Sequence, residues 1–306
     1  MKVLITGGAG FIGTYTKDLL KEKGHQVLIV DNLSTGNESN IDDDDTFYKG
    51  DIQDLSDLKG IDDIDVVIHL AAQIQVPVSV QDPLFDMDQN IGGTIKVVEF
   101  AKKANVKKVI FASSAAVYGD NDQLPIKEES ILEPMSPYGI SKMAAEKYVE
   151  VLCQLYGIDY VILRYANVFG AKQTAKGEGG VIKIFYDLLA EGKTPLIEGN
   201  GNQTRDFIYV EDIARAHLYA LDTPSGIYNL STNTEITINE LCRYMIVAMG
   251  KNTQPEHIDA RKGDIYRSCL DNSKFIDASG WAPAYSVEAG INSMINELEH
   301  KGVNKS

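Results

Sequence analysis

Val3-Leu4-Ile5-Thr6-Gly7-Gly8-Ala9-Gly10-Phe11-Ile12-Gly13 decides how this chain folds. The first four residues are a short apolar run of the kind that makes a buried strand, and Phe11 to Glu22 carries a helical pattern. A strand that turns into a helix through Gly-x-x-Gly-x-x-Gly builds an anion site. Glycine lets the backbone turn tightly and approach a pyrophosphate, and the N–H groups at the helix start point at it. A second apolar run, Gln26 to Val30, ends in Asp31, at the spacing of an acidic residue that holds an adenosine ribose. Its carboxylate accepts from the 2′- and 3′-hydroxyls and repels a 2′-phosphate. The pattern therefore predicts NAD rather than NADP; the plainer reading is a structural turn followed by a surface aspartate.

Outward from this turn, strand and helix alternate. Apolar strand candidates are Lys2–Thr6, Gln26–Asp31, Thr46–Tyr48, Val66–Leu70, Val109–Ser113 and Val161–Tyr165, with helical patterns between them, notably Pro83 to Ala104 and Tyr138 to Tyr156. That alternation predicts an α/β fold, a Rossmann-type doubly wound parallel sheet with ligands at the carboxyl ends of its strands. Past Gly170 the character changes. Ala171 to Gly180 reads as a polar loop. A helix near Val181–Glu191, a strand near Pro195–Glu198, a turn at Gly199–Asn202, a strand at Phe207–Tyr209 and a helix from about Glu211 follow. We expect an NAD-binding domain over 1–170, with segments near 203–232 returning to it, and a smaller C-terminal α/β substrate-binding part over 171–306.

Composition narrows the partners. The chain has 306 residues, 44% of them hydrophobic, and a net charge of −15. No basic surface is available for a nucleic-acid backbone, and no polybasic segment for anionic lipid. Asp42 to Asp45, a run of four acids, reads as a solvated loop. No apolar run reaches membrane-spanning length and no charged leader precedes the first strand. The three cysteines, Cys153, Cys242 and Cys269, have neither metal spacing nor a disulfide pattern. We expect a cytoplasmic protein without a bound metal, with Cys153 in the core.

Tyr138-Gly139-Ile140-Ser141-Lys142 is the second informative motif. It follows Ser136-Pro137, a good helix entry, and its Tyr and Lys lie four apart, on one side of the helix. An ordinary phenol, with a pKa near 10, is only about 0.1% ionised at pH 7. A nearby ammonium and a positive nicotinamide favour the phenolate, which makes a general base for a sugar hydroxyl. Alone, the pair reads more readily as a tyrosine stacked on a lysine stem. Ser113-Ser114 stands at the end of a predicted strand, where a hydroxyl can hold a reacting oxygen or simply cap the strand.

With these parts in hand the chain resembles the extended short-chain dehydrogenases/reductases, and within them nucleotide-sugar 4-epimerases of the UDP-glucose 4-epimerase type. The resemblance runs through Thr6–Gly13, Asp31–Gly36, Gly50-Asp51-Ile52, His69–Gln73, Ser113–Gly119, Ser136–Lys142, Arg164–Gly170, Arg205–Val210 and Arg261–Asp264. It implies that Ser114, Tyr138 and Lys142 are catalytic, with Tyr138 as base and Lys142 on the nicotinamide ribose. It implies an NAD site made by Gly7, Gly10, Phe11, Ile12, Gly13, Asp31, Asn32, Ser34, Thr35 and Gly36. Asp51 and Ile52 would flank the adenine, and Leu70, Ala71, Ala72 and Gln73 the nicotinamide side. Ser114, Tyr138, Asn167, Arg205, Arg261, Asp264 and Ser268 would meet the UDP-sugar, the two arginines clamping its diphosphate and Asp264 its ribose.

The reaction implied is C4 epimerisation of UDP-glucose and UDP-galactose through a 4-keto sugar. Departures from related enzymes sharpen it. Ala115-Ala116 follow Ser114 where dehydratases carry an acid pair. Ser268 stands where strict galactose epimerases often place a bulky tyrosine, leaving space for the acetamido group of UDP-GlcNAc/UDP-GalNAc. The resemblance also implies a homodimer through helices that include Pro83–Ala104 and Tyr138–Tyr156. Alternatives are a nucleotide-sugar reductase or dehydrogenase of the same superfamily and a non-catalytic NAD(H)-binding regulator.

Overall fold

The apolar runs of the first half become β1 (Lys2–Thr6), β2 (Gln26–Asp31), β3 (Thr46–Lys49), β4 (Val66–His69), β5 (Lys108–Ser114) and β6 (Asp159–Tyr165). Shorter strands follow: β7 (Asn167–Phe169), β8 (Leu196–Glu198), β9 (Thr204–Arg205), β10 (Phe207–Tyr209), β11 (Gly226–Leu230), β12 (Ile236–Thr237) and β13 (Glu256–Ile258). The computed structural model describes residues 1–57, 61, 63–173, 180–260 and 265–303. The main sheet is parallel throughout and has seven strands in the order β11-β6-β5-β4-β1-β2-β3. Strand order reverses between β1 and β4, and in open α/β sheets the crevice beyond the carboxyl ends at such a point receives ligands. The small pairs β7–β10, β8–β13 and β9–β12 lie outside this sheet.

The helices are α1 (Phe11–Glu22), α2 (Val76–Gln81), α3 (Pro83–Met87), α4 (Gly93–Lys103), α5 (Pro137–Tyr156), α6 (Val181–Ala190), α7 (Val210–Ala220), α8 (Ile238–Ala248), α9 (Ser273–Ser279) and α10 (Val287–Val303). Side-chain alternation along the strands sends alternate residues to opposite faces. Val3, Ile5, Val27, Ile29, Ile68 and Ile110 pack with Leu20 of α1 and Ile213 and Ala216 of α7. Leu4, Leu28, Val30, Val67, Val109 and Phe111 pack with Val97 and Val98 of α4 and Ala145, Val149 and Cys153 of α5. Both faces of the sheet are covered, which is why its strands read as continuous apolar runs. A third core joins Phe185 of α6, Leu241 of α8 and Ile291 of α10 to Phe11 and Tyr209.

One sequence reading needs correction. Pro83–Ala104 is not one regular helix. A π-helical turn over Asp88–Gly92 separates α3 from α4. The inserted turn directs Asn90 inward, where it is buried, and the Asp88 carbonyl accepts from Gln53 Nε2 at 2.9 Å. The acidic run at Asp42–Asp45 is a loop with Asp42, Asp43 and Asp44 exposed, as read from sequence, and it is also tied to α1. Lys17, itself buried, lies 2.7 Å from both Asp42 and Asp45, and Lys21 lies 2.6 Å from Asp45, whose side chain is 1% exposed. The carboxylates fasten the loop after β2 to α1. All three cysteines are buried.

A buried ionic network ties the strands that end at the crevice. Arg164 of β6 donates to Glu146 of α5 through Nε at 2.9 Å and Nη2 at 2.7 Å, with both side chains at most 3% exposed. Ser113 donates to the same carboxylate at 2.5 Å, and Arg164 reaches the Tyr118 hydroxyl at 2.9 Å. Removing one partner strands the other charge in the interior. Arg164→Met should therefore cost about 3–5 kcal/mol in urea unfolding, and the double variant Arg164→Met/Glu146→Met should cost less than the single one. A single-variant loss below about 1 kcal/mol would contradict this.

Candidate active site

β1 gives way to α1 through backbone that has no room for side chains. Gly7 has φ of 72°, and a Cβ there would lie 2.7 Å from the Ala71 nitrogen of the neighbouring β4 loop. A Cβ on Gly13 would lie 2.3 Å from the Gly7 carbonyl oxygen. The turn thus packs directly on the next crossover and aims the start of α1 into the crevice. Gly10 is the N-cap and offers no capping side chain, so the first-turn N–H groups lack intrahelical acceptors.

The crevice is a cleft of about 590 Å³, lined by residues from both sides of the β1/β4 switch point. Gly7, Gly10, Phe11, Ile12 and Gly13 form one wall. Asp31, Asn32, Ser34, Thr35 and Ile52 lie at the β2 end, and Leu70, Ala71, Ala72 and Gln73 at the β4 end. Asp31 is buried and accepts from the backbone N–H of Ala9 at 3.0 Å and of Leu33 at 2.8 Å. Burial pushes its carboxyl upward while those two amides pull it back. A Cβ on Gly36 would lie 2.8 Å from the Asp31 carboxylate, so Gly36 packs behind Asp31 and does not line the cleft. Asp51 does not line it either, accepting from Asn32 Nδ2 at 2.8 Å and Gln53 N at 2.9 Å. Bare backbone at a helix start and a carboxylate at the adjacent strand end fit the pyrophosphate and ribose of NAD.

At the other end Ser114, Tyr138 and Lys142 line the same cleft. Their approach has a local cause. Ser136 caps α5, accepting from Gly139 N at 3.1 Å, and a Cβ on Gly139 would lie 2.6 Å from the Ala116 carbonyl oxygen. The start of α5 therefore rests directly on the turn after β5. The paired serines divide: Ser113 is committed to Glu146, whereas Ser114 accepts from Ala116 N at 3.2 Å and faces the cleft. Lys142 donates to the Ala112 carbonyl at 2.9 Å and lies 4.9 Å from the centre of the Phe111 ring. Burial lowers its pKa to about 8, against an opposing pull from Asp86 and Glu146. Asn90 supports this end: it donates to Ser141 at 3.0 Å and to the Gln73 carbonyl at 2.9 Å, and accepts from Gln73 N at 2.9 Å.

The other expected sugar-nucleotide residues are not brought into this cleft. Asn167 is exposed on β7, Arg205 is half-buried on β9 with Nη1 donating to the Thr204 carbonyl at 2.8 Å, and Ser268 is half-buried outside the lining. The neighbouring Asp206 carboxylate accepts from Thr232 N at 3.0 Å and Oγ1 at 2.8 Å. Arg261 and Asp264 lie outside the described residues. Sequence reasoning missed Gln75, Val78, Phe85 and Gln89, the wall supplied by α2, α3 and the π turn, and Tyr165 at the end of β6. Gln75 follows closely on β4 and Tyr165 ends β6, at the carboxyl edge of a parallel sheet, and that position was the available signal.

Lys142 gives the site a pH signature. Its pKa is about 8 when folded against 10.5 for an ordinary lysine side chain, so between those values the unfolded chain binds more protons and stability rises with pH. Below about 8 the folded state carries the full cost of the buried charge. Lys142→Met removes that cost, so the variant's stability relative to the parent should narrow by up to about 3 kcal/mol across the window, read by urea unfolding of the cofactor-stripped protein. A difference independent of pH would contradict the assignment.

Known proteins bear on this geometry. Residues 3–231 match the NAD dependent epimerase/dehydratase family. A putative UDP-glucose 4-epimerase of Methanocaldococcus jannaschii is 43% identical over 301 residues, covering 97% of this chain and 98% of the relative. The crystal structure of the Thermotoga maritima UDP-glucose 4-epimerase with UDP-glucose superposes with a TM-score of 0.94 at 38% identity, over 99% of this chain and 100% of that one. A UDP-N-acetylglucosamine 4-epimerase from Methanobrevibacter ruminantium, in complex with UDP-N-acetylmuramic acid, gives 0.93 at 36% identity over 98% of each chain. With its glycine turn, ribose-side carboxylate and Ser–Tyr–Lys end in one cleft, this chain belongs to the NAD dependent epimerase/dehydratase family and is a nucleotide-sugar 4-epimerase.

Proposed function

We propose that the protein interconverts UDP-glucose and UDP-galactose through a transient 4-keto sugar, and that it also accepts UDP-GlcNAc and UDP-GalNAc. The observation that carries the reading is the convergence of Ser114, Tyr138 and buried Lys142 at one end of a cleft whose other end is built by Gly7–Gly13 and Asp31. When bound, NAD supplies a nicotinamide that takes hydride from C4 and gives it back. Lys142 would hold the nicotinamide ribose, and its positive charge would lower the cost of the Tyr138 phenolate. Tyr138 takes the proton of the sugar 4-hydroxyl and returns it after the sugar has turned over. Ser114 holds the reacting oxygen. Arg205, with Arg261, anchors the diphosphate through bidentate bonds while the hexose rotates, and Asn167 and Asp264 hold the nucleotide.

Support for acetamido sugars comes from the surroundings of Ser268. Arg267 is held in a bidentate pair with Glu235, at 2.6 and 2.9 Å, and Tyr266 is 54% exposed, which leaves Ser268 as the position whose small side chain would make room for an acetamido group. Ser268→Tyr should abolish turnover of UDP-GlcNAc and spare UDP-glucose; unchanged acetamido turnover removes this part of the proposal.

We also propose a homodimer. α5 exposes Ile140, Tyr148, Val151 and Leu155, the last at 73%, and α3, packed beside it, exposes Leu84 at 72% with Phe85 and Met87. Exposed apolar side chains gathered on two adjacent helices are a usual mark of an association site. Val151→Glu/Leu155→Glu should convert a dimer to a folded monomer in sedimentation; a monomeric parent protein at micromolar concentration would count against it. The three buried thiols suit a reducing, cytoplasmic setting.

The catalytic proposal is tested by incubating the protein with each of the four UDP-sugars without added cofactor and resolving the products. We expect C4 epimers with no net change in NADH absorbance. Tyr138→Phe should lower kcat by about 10²–10⁴-fold while NAD binding survives. Net consumption of NAD(P)H would mean a reductase or dehydrogenase. Cofactor binding without any turnover would mean a regulator.

A further inference from the structure

Two phenols line the cleft, Tyr138 and Tyr165. Tyr165 ends β6 and lies in register opposite Ser114 of β5. A reaction that needs one phenol to give and take a proton needs the other to keep its own. The atoms behind Tyr165 supply a reason for it to do so.

The Tyr165 hydroxyl lies 2.5 Å from His217 Nε2, and His217 Nδ1 lies 2.8 Å from Thr16 Oγ1. Thr16 Oγ1 in turn lies 3.0 Å from the Ile12 carbonyl oxygen. Thr16 and His217 are fully buried. The direction of every bond in this chain follows from one end. A carbonyl oxygen only accepts, so Thr16 spends its single hydroxyl proton on Ile12. Thr16 Oγ1 can then only accept from the imidazole, which places a proton on Nδ1. Burial lowers the His217 pKa to about 3, so the ring is neutral and carries no second proton. Nε2 is therefore bare and accepts, and Tyr165 donates to it. The phenolic proton points into the protein, and the lone pairs left over face the cleft. Burial also holds Tyr165 well above the ordinary phenol range, so it does not ionise in place of Tyr138.

We propose that Thr16 and His217 are positioning residues that lock the Tyr165 proton inward, so that Tyr165 meets the bound ligands only as a hydrogen-bond acceptor and Tyr138 is left as the one phenol that exchanges its proton. The consequence for catalysis rests on the epimerase mechanism above; the tautomer itself does not. Tyr165 would accept from an N–H or O–H at the nicotinamide end, either the cofactor carboxamide or a sugar hydroxyl. Thr16, on the first turns of α1, and His217, on α7, thereby link two helices that are far from the reacting carbon in sequence to the polarity of the cleft.

The test is histidine-selective 15N NMR on the NAD-loaded enzyme. The chain has five histidines, and the His217 signals are assigned by their loss in His217→Gln or, should that variant not fold, by their displacement in Thr16→Ser. We expect a proton on Nδ1, a bare Nε2 and no titration from mildly acidic to mildly basic pH. Thr16→Val removes the acceptor and should move the proton to Nε2; Thr16→Ser should retain the original tautomer. In Thr16→Val, as in Tyr165→Phe, the loss of an accepting oxygen should weaken a ligand about three- to tenfold. A fall in NAD affinity identifies the carboxamide as donor, and a rise in KM for the UDP-sugar identifies the hydroxyl. A proton on Nε2 in the parent enzyme, a His217 that titrates near neutrality, or a Thr16→Val that switches the tautomer without altering either affinity would overturn the proposal. The predicted tautomer in a protein that turns over no UDP-sugar would instead refute the mechanism alone.

Discussion

A buried lysine ammonium lines the cleft, and burial lowers its pKa to about 8. Lys142 makes one hydrogen bond, to the Ala112 carbonyl, and rests near the Phe111 ring; among the described residues it has no ion pair. Taking such a group out of water is unfavourable, which is what its lowered pKa expresses. Core packing gives no reason to keep it, since a methionine would fill the space. On the proposed mechanism the reason is Tyr138, one helical turn earlier on α5, whose phenolate would be favoured by a positive charge beside it. A desolvation cost of this kind persists because the surrounding structure holds the side chain in place.

Those surroundings are three networks that converge on α5. Glu146 is bonded by Arg164 and Ser113, which fixes α5 against β5 and β6. Asn90, delivered by the π turn, fixes it against the loop after β4. Gly139 lets the start of the helix rest on the backbone at Ala116. Ser114, and the start of α5 that carries Tyr138, are therefore held against the carboxyl edge of a parallel sheet. On the far side the glycine turn does the same for the cofactor end, because Gly7 touches the Ala71 backbone directly.

Much of this was legible in the sequence, for identifiable reasons. β1, the turn and α1 were readable to the residue, because positive φ and close backbone approach leave few residue types possible. Sheet strands buried on both faces announce themselves as apolar runs, and β1 and β2 match those runs end to end. The π turn was hidden, because one inserted residue hardly disturbs an amphipathic pattern sustained on both sides of it. β11 was anticipated only as a returning segment, since Gly-Ile-Tyr-Asn-Leu is short and its neighbour β6 lies more than sixty residues earlier. Pairings such as Lys17 with Asp45, and the chain from Thr16 to Tyr165, depend on side chains brought together from distant elements. No local spacing encodes them.

The central claim is that the sugar's C4 oxygen is held between the hydroxyls of Tyr138 and Ser114, above the Lys142 charge. A crystal structure of the NAD-loaded enzyme with UDP-glucose measures this directly. The account predicts the 4-hydroxyl within hydrogen-bonding distance of both side chains. A hexose that keeps C4 clear of Tyr138, with the phenol turned out of the cleft, would contradict it.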